Sequence, residues 1–149
     1  MAMRMLPRVP LLFAGASMVV ATLSGCTPAG QIWASLTEGG VVRIAFCEAI
    51  DAVSLTVDVQ GAETEGWSLT GQHTFGFGDI VEYGQAIDGL TLDSVPDQIG
   101  TGDVLLVSVK SSEQRQGGGE SQRGYFSYDS LTASTWVDSS GRVESEPCS

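Results

Sequence analysis

The residues that most restrict the fold lie between Ala52 and Gln60, where Val53, Leu55, Val57 and Val59 alternate with Ser54, Thr56, Asp58 and Gln60. Successive side chains of a strand point to opposite faces, so this pattern writes a strand with one dry face and one wet face. A helix would scatter the same apolar residues around its circumference. The period of two recurs along the chain, and no stretch of about 11 residues or more carries an apolar stripe at helical spacing.

Further strands follow from the same signal. Gln31 to Thr37 and Val41 to Cys47 flank Glu38-Gly39-Gly40, a glycine-bearing loop of hairpin type, with Val42, Ile44 and Phe46 on one face. Trp67 to Phe77 is β-prone but holds Gly71 and Gly76, so it reads as one bulged strand or two short ones. As one strand, it places His73 on the parity of Trp67, Leu69, Phe75 and Phe77, near the core. Ile80 to Tyr83 is a weaker run, and Gly84 to Gly102 is rich in turn formers. Val104 to Lys110 is the most apolar run, with Leu105, Val107 and Val109 facing one way and Leu106 implying cover on the other side. A polar loop from Ser111 to Ser121, with Gly117-Gly118-Gly119, precedes Arg123 to Leu131, Thr135 to Asp138 and Arg142 to Glu144. Seven to eight short strands, with turn signals roughly every 8 to 12 residues, predict an all-β antiparallel β-sandwich of immunoglobulin-like type. A small closed β-barrel is the alternative.

The first 25 residues differ in kind from the rest. They carry Arg4 and Arg8, no acidic residue, and an apolar or small run from Val9 to Leu23 that is shorter than the roughly 20 residues a membrane span needs. A basic head, a short apolar run and a small-residue end make an export signal. That end, Leu23-Ser24-Gly25-Cys26, resembles the lipobox of bacterial lipoproteins at all four positions. The resemblance implies that a diacylglyceryl group is added to the Cys26 sulfur and that the Gly25–Cys26 bond is then cut, leaving Cys26 as the mature N-terminus. The protein would be held by lipid on the outer, extracytoplasmic face of the cell membrane. The alternative is an ordinary secretory signal in which Cys26 is incidental. The plan is thus a signal over 1–25, a lipidated cysteine and short tether over 26–30, and a single β domain over 31–149.

Without the signal, five basic residues remain against 18 acidic ones, a formal net charge of −13. Nucleic acid and anionic lipid both demand cationic contacts, so neither is an expected partner of the domain surface. A basic partner, a cation or simple solubility fits. With Cys26 lipidated, Cys47 and Cys148 form an even pair in an exported chain and read as one disulfide, the alternative being two free thiols. The whole chain also looks like the small acidic actinobacterial lipoproteins of unassigned function, with an early cysteine after a strand and a terminal Pro147-Cys148.

Candidates for chemistry are few. His73 is the single histidine, which rules out multi-histidine zinc sites and leaves one general base. A hydrolase relay with Asp79 and a serine is conceivable, but no Gly-x-Ser-x-Gly elbow accompanies it. Asp88, Asp93, Asp97 and Asp103 gather in the turn-rich stretch, where they serve either as calcium ligands or as solvated turn formers. Trp33, Trp67, Trp136, Tyr83, Tyr125 and Tyr128 offer either a ligand platform or core packing. No phosphate loop, dinucleotide fingerprint or paired-cysteine metal motif occurs, so no cofactor is expected. The sequence therefore points to a lipid-anchored, non-enzymatic binding or interaction module of the cell envelope. A hydrolase built on His73, and an acidic inhibitor or partner of a basic protein, are the other readings.

Overall fold

The computed structural model describes residues 31–62, 66–94, 98–112 and 121–149. The signal, Cys26 with its tether, Asp97, and Gly117-Gly118-Gly119 lie outside the described residues. The described residues form ten strands: β1 (Ile32–Leu36), β2 (Val42–Phe46), β3 (Ile50–Val59), β4 (Trp67–Phe75), β5 (Ile80–Glu82), β6 (Leu90–Ser94), β7 (Val104–Ser111), β8 (Gln122–Ser127), β9 (Trp136–Asp138) and β10 (Val143–Glu144). They make two antiparallel five-stranded sheets, in the orders β10-β9-β1-β2-β5 and β6-β4-β3-β7-β8. Both sheets keep free edges, so the architecture is a sandwich and the barrel alternative falls away. Strands β5-β2-β1 face β4-β3-β7-β8 with the connectivity E-B-A against C′-C-F-G of an immunoglobulin-like sandwich. Strand β6 is added outside β4, and the β9–β10 hairpin outside β1.

The dry faces meet as the alternation requires. Ile32, Ala34, Val42, Ile44 and Phe46 of the first sheet pack on Leu55, Val57, Leu69, Leu105, Val107 and Phe126 of the second. The ring of Phe46 stacks on Phe75, with centroids 4.1 Å apart. One interruption reorganises the second sheet. The pairing of β3 slips between Ala52 and Ser54 against both β4 and β7, so Ala52 and Val53 are buried in succession. Below this bulge the even residues Ile50 and Ala52 face inward; above it Leu55 and Val57 do.

Several expectations change in three dimensions. The turn-rich stretch contains β6, whose Leu90, Thr91 and Leu92 pair with Gly71, Thr70 and Leu69. Trp67 to Phe77 is one strand only as far as Phe75. Gly71 takes φ +151, and a Cβ there would stand 2.2 Å from the Gly89 carbonyl oxygen, so only glycine admits β6 so close. Strand β8 ends at Ser127 and continues as a single 3₁₀ turn, Tyr128–Ser130. Leu106 lies with Tyr125 on the outer face of the second sheet. That face carries no third layer among the described residues, and Tyr125 is 52 % exposed.

The outer face of the first sheet is covered instead. Trp33, Ala45 and Trp136 form a second buried cluster there, with Cys47 packed against it. Cys47 follows β2 and is bonded to Cys148, with Cα atoms 5.1 Å apart. The segment 145–147 bends and then turns at Pro147-Cys148, and the disulfide joins this end of the chain to the end of β2. Replacing Cys47 and Cys148 together by Ala is expected to cost up to about 4–5 kcal/mol, because the crosslink closes a loop of about 100 residues. Urea unfolding would read this as a lower midpoint, accompanied by a red shift of native-state tryptophan emission as the Cys47 contact on the Trp33–Trp136 cluster loosens.

Candidate functional site

Strand directions sort the molecule into two ends. Gln31, at the head of β1, meets Cys47, whose N–H donates to the Gln31 carbonyl at 2.8 Å. At this tether end lie the disulfide, the start of β3, the end of β4, the β4–β5 turn, the end of β7 and the β9–β10 turn. The opposite end holds the β1–β2 turn, the exit of β3 and the 3₁₀ turn, where the Tyr128 hydroxyl donates to the Gly40 carbonyl at 2.9 Å.

His73 is at the tether end. It pairs with Ala52 on the inward parity, but at the open margin of the sandwich, so it is half-buried rather than in the core. Its Nδ1 lies 2.7 Å from the carbonyl oxygen of Asp88. A carbonyl only accepts, so Nδ1 carries the proton. The ring also packs edge-on against Phe75, with centroids 4.6 Å apart. Among the described contacts, no serine hydroxyl or carboxylate bonds to the imidazole. Asp79 instead accepts from the Gly76 N–H at 2.7 Å, within its own turn. Beside His73, Asp51, Gln72, Thr74 and Ser112 line a shallow, open, mainly polar depression. There the Thr74 hydroxyl donates to Asp51 at 2.6 Å.

The aspartates of the turn-rich stretch are dispersed. Asp93 accepts from the Thr70 hydroxyl at 2.7 Å, and Asp103 from the Gly100 N–H at 2.8 Å. Among the described residues no three acidic, histidine or cysteine side chains converge on one point. The tryptophans are all buried, but two lie away from the inter-sheet core. Arg142 covers Trp33 with its guanidinium 5.0 Å from the ring, and Arg43 covers Trp136 at 4.9 Å. Arg43 also donates to the Ser35 hydroxyl at 2.6 Å. Two of the few basic residues thus serve as lids on aromatic rings rather than as free charge.

Asp138, which the strand pattern does not single out, holds this outer layer together. It is 2 % exposed and opposes Trp33 across β1–β9. One carboxylate oxygen accepts from the Ser140 hydroxyl at 2.6 Å and from the Ser140 and Arg142 N–H groups, each at 2.9 Å. The signal in the sequence is Asp138-Ser139-Ser140-Gly141, an aspartate able to bond its own turn two and four residues on.

Acidic side chains stand at both ends: Glu38, Asp58, Asp103 and Asp129 at the end away from Gln31, and Glu48, Asp51 and Asp79 at the tether end. No family model, curated protein or solved structure matches the chain. The fold and its chemistry define a disulfide-closed β-sandwich in which, among the described residues, one outer face is layered and the other is not.

Burial opposes ionisation of Asp138, but the Ser140 hydroxyl, the Arg142 and Ser140 N–H groups and the Arg142 charge outweigh it, holding the carboxyl below its ordinary range. A depressed folded pKa contributes stability that is present above the unfolded value, near 3.9, and is lost as pH falls through the folded one. Asp138→Ala is expected to cost about 2–4 kcal/mol at neutral pH, from three lost charge-assisted bonds. Asp138→Asn keeps an accepting oxygen and should cost less. Chemical unfolding measured from pH 7 down to 2 should show both gaps closing only below about pH 4.

Proposed function

We propose that this chain is a lipid-anchored, extracytoplasmic β-sandwich that serves as a binding module of the cell envelope. The observation that carries the reading is the spacing between the Leu23-Ser24-Gly25-Cys26 motif and the fold. After Cys26 only Thr27, Pro28, Ala29 and Gly30 precede Gln31, which is already fixed to Cys47 by a backbone hydrogen bond. Such a tether extends roughly 15 Å, so lipid on Cys26 keeps the tether end at the bilayer and points the other end outward. The ten residues of β3 alone give the outward end a height of about 34 Å. The disulfide supports the same compartment, since such bonds persist where thiols are not kept reduced.

The outward end also supports a cationic partner. Glu38 and Asp58 are exposed there, and Arg43 of β2 is committed to Ser35, the Ala133 carbonyl and Trp136. A His73-centred hydrolase draws no comparable support, because its imidazole is engaged with Asp88 and Phe75.

Two measurements test the reading. Wild-type protein should partition into detergent and resist extraction by salt, because two acyl chains suffice for stable anchoring. Cys26→Ala should yield uncut precursor or a released soluble form; a processed, membrane-bound Cys26→Ala species of wild-type mobility would overturn the anchor. For the partner, immobilised protein should retain lysozyme, as a basic probe, at low ionic strength and release it as salt shortens the Debye length. Glu38→Gln with Asp58→Asn should weaken that retention, and unchanged retention would move the binding face elsewhere.

A further inference from the structure

Strand β4 delivers the chain to a turn whose apolar tip has no structural use within the domain. Gly76-Phe77-Gly78-Asp79 closes with the Asp79 N–H donating to the Gly76 carbonyl at 3.2 Å, and Gly78 takes φ +84. That is the backbone of a type II turn, which needs glycine at its third position and leaves its second residue, Phe77, pointing away. The turn is rigid for its size. The Gly78 N–H donates to the Phe46 carbonyl at 2.7 Å, and the Phe46 N–H donates to the Asp79 carbonyl at 3.0 Å. The Asp79 carboxylate folds back onto the Gly76 N–H. Phe77 is 69 % exposed, the largest exposure among the described large apolar side chains. Ile80, three residues on, is 46 % exposed.

A single exposed apolar residue is ordinary on a protein surface. What distinguishes Phe77 is its position. Its turn is bonded to the same β2 terminus, Phe46–Cys47, that holds Gln31. Strands β1 and β5 flank β2, so the turn and the tether exit lie about two inter-strand spacings apart, roughly 10 Å. The tether itself extends only roughly 15 Å. We propose that the β4–β5 turn is a second, non-covalent contact with the lipid bilayer, in which Phe77, flanked by Ile80, enters the headgroup–acyl boundary and sets the tilt of the sandwich. The proposal rests on the lipid anchor at Cys26.

The anchor makes a weak contact effective. One aromatic side chain cannot hold a domain of this negative charge on a membrane, but a short tether raises the local concentration of bilayer at the turn. Asp79 stays exposed in the same turn, with its carboxylate bonded to the Gly76 N–H, so a zwitterionic rather than an anionic lipid surface suits the contact. Without the turn, four tether residues would let the domain swing; with it, two points define an orientation.

The test uses the full lipidated chain in vesicles of zwitterionic phosphatidylcholine, with or without bromine on the upper acyl carbons. Phe77→Trp should add an emission component that is blue-shifted relative to the same variant in detergent-free, unlipidated Cys26→Ala form, and brominated lipid should quench it. Val41→Trp, at the outward end and 40 % exposed in the parent residue, should remain unshifted and unquenched. If the added emission of Phe77→Trp stays water-like and unquenched while the protein remains with the vesicles, the contact is overturned and the anchor stands. Equal quenching at positions 77 and 41 overturns the fixed orientation. Loss of wild-type protein from the vesicle fraction overturns the anchor, and the contact with it. An apolar protein partner at the turn, instead of lipid, would show as a water-like Phe77→Trp signal that shifts only when envelope proteins are added, and that result overturns the lipid contact.

Discussion

Phe46 is the residue on which the tether end depends. Its side chain is fully buried and stacks across the sandwich on Phe75, so it fixes the distance between the two sheets at this end. Its backbone pairs with Ile32 of β1 on one side and holds the Gly76–Asp79 turn on the other. The next residue, Cys47, bonds Gln31 through its N–H and Cys148 through its sulfur. Three segments, the head of β1, the end of β4 with its turn, and the C-terminal residues, therefore meet on Phe46 and on the Cys47 that follows it. Removing the Phe46 ring would leave a cavity under all of them, whereas most core positions support only their own strand and its neighbours.

What the alternation made legible and what it did not divide along a physical line. Strand β3, the β1–β2 hairpin and β7 follow from period two, because their pairing is regular and one face is dry over most of its length. Strand β6 was hidden because Leu90, Thr91, Leu92 and Asp93 carry little apolar signal, being an edge strand that overhangs the core with Leu92 47 % exposed. Parity placed Phe77 with Phe75, yet a turn ends the strand between them, and parity has no meaning past a turn. Parity also fails within β3, where the Ala52–Val53 bulge exchanges the inward set; the sequence shows only an apolar pair. His73 kept its parity and still gained exposure, because the period of two reports which face a residue takes but not how near the sheet's margin it stands.

The cysteine pairing and the tryptophans differ in the same way. Two cysteines left after Cys26 allow one pairing, so counting suffices. That Trp33 and Trp136 lie beneath arginines on an outer face is invisible to counting, since burial there comes from Arg43, Arg142 and Cys47 brought together by tertiary structure. The hydrophobic stems of arginine cover ring faces while the charged heads stay in contact with polar groups. In a chain this poor in cations, using two of them so leaves the negative charge of the loops poorly balanced.

These features give the sandwich an asymmetry in two directions. Across its thickness, the first sheet carries the tryptophan cluster with its two arginines and Cys47, whereas among the described residues nothing covers the second, with Ser54, Thr56, Ser68, Thr70 and Ser108 in neighbouring register on its outer surface. A hydroxyl-bearing face without a covering layer is well hydrated and can approach another polar surface without exposing core residues. Along its length, the disulfide and the Gly76–Asp79 turn occupy the end where β1 begins, and the β1–β2 turn and the 3₁₀ turn occupy the other. Acidic side chains are found at both ends, so the ends differ in their joints and in the exposed ring of Phe77 rather than in charge. Under the proposed anchor at Cys26, a tether of four residues lets only one end reach the membrane, and that is the end at which Phe77 stands.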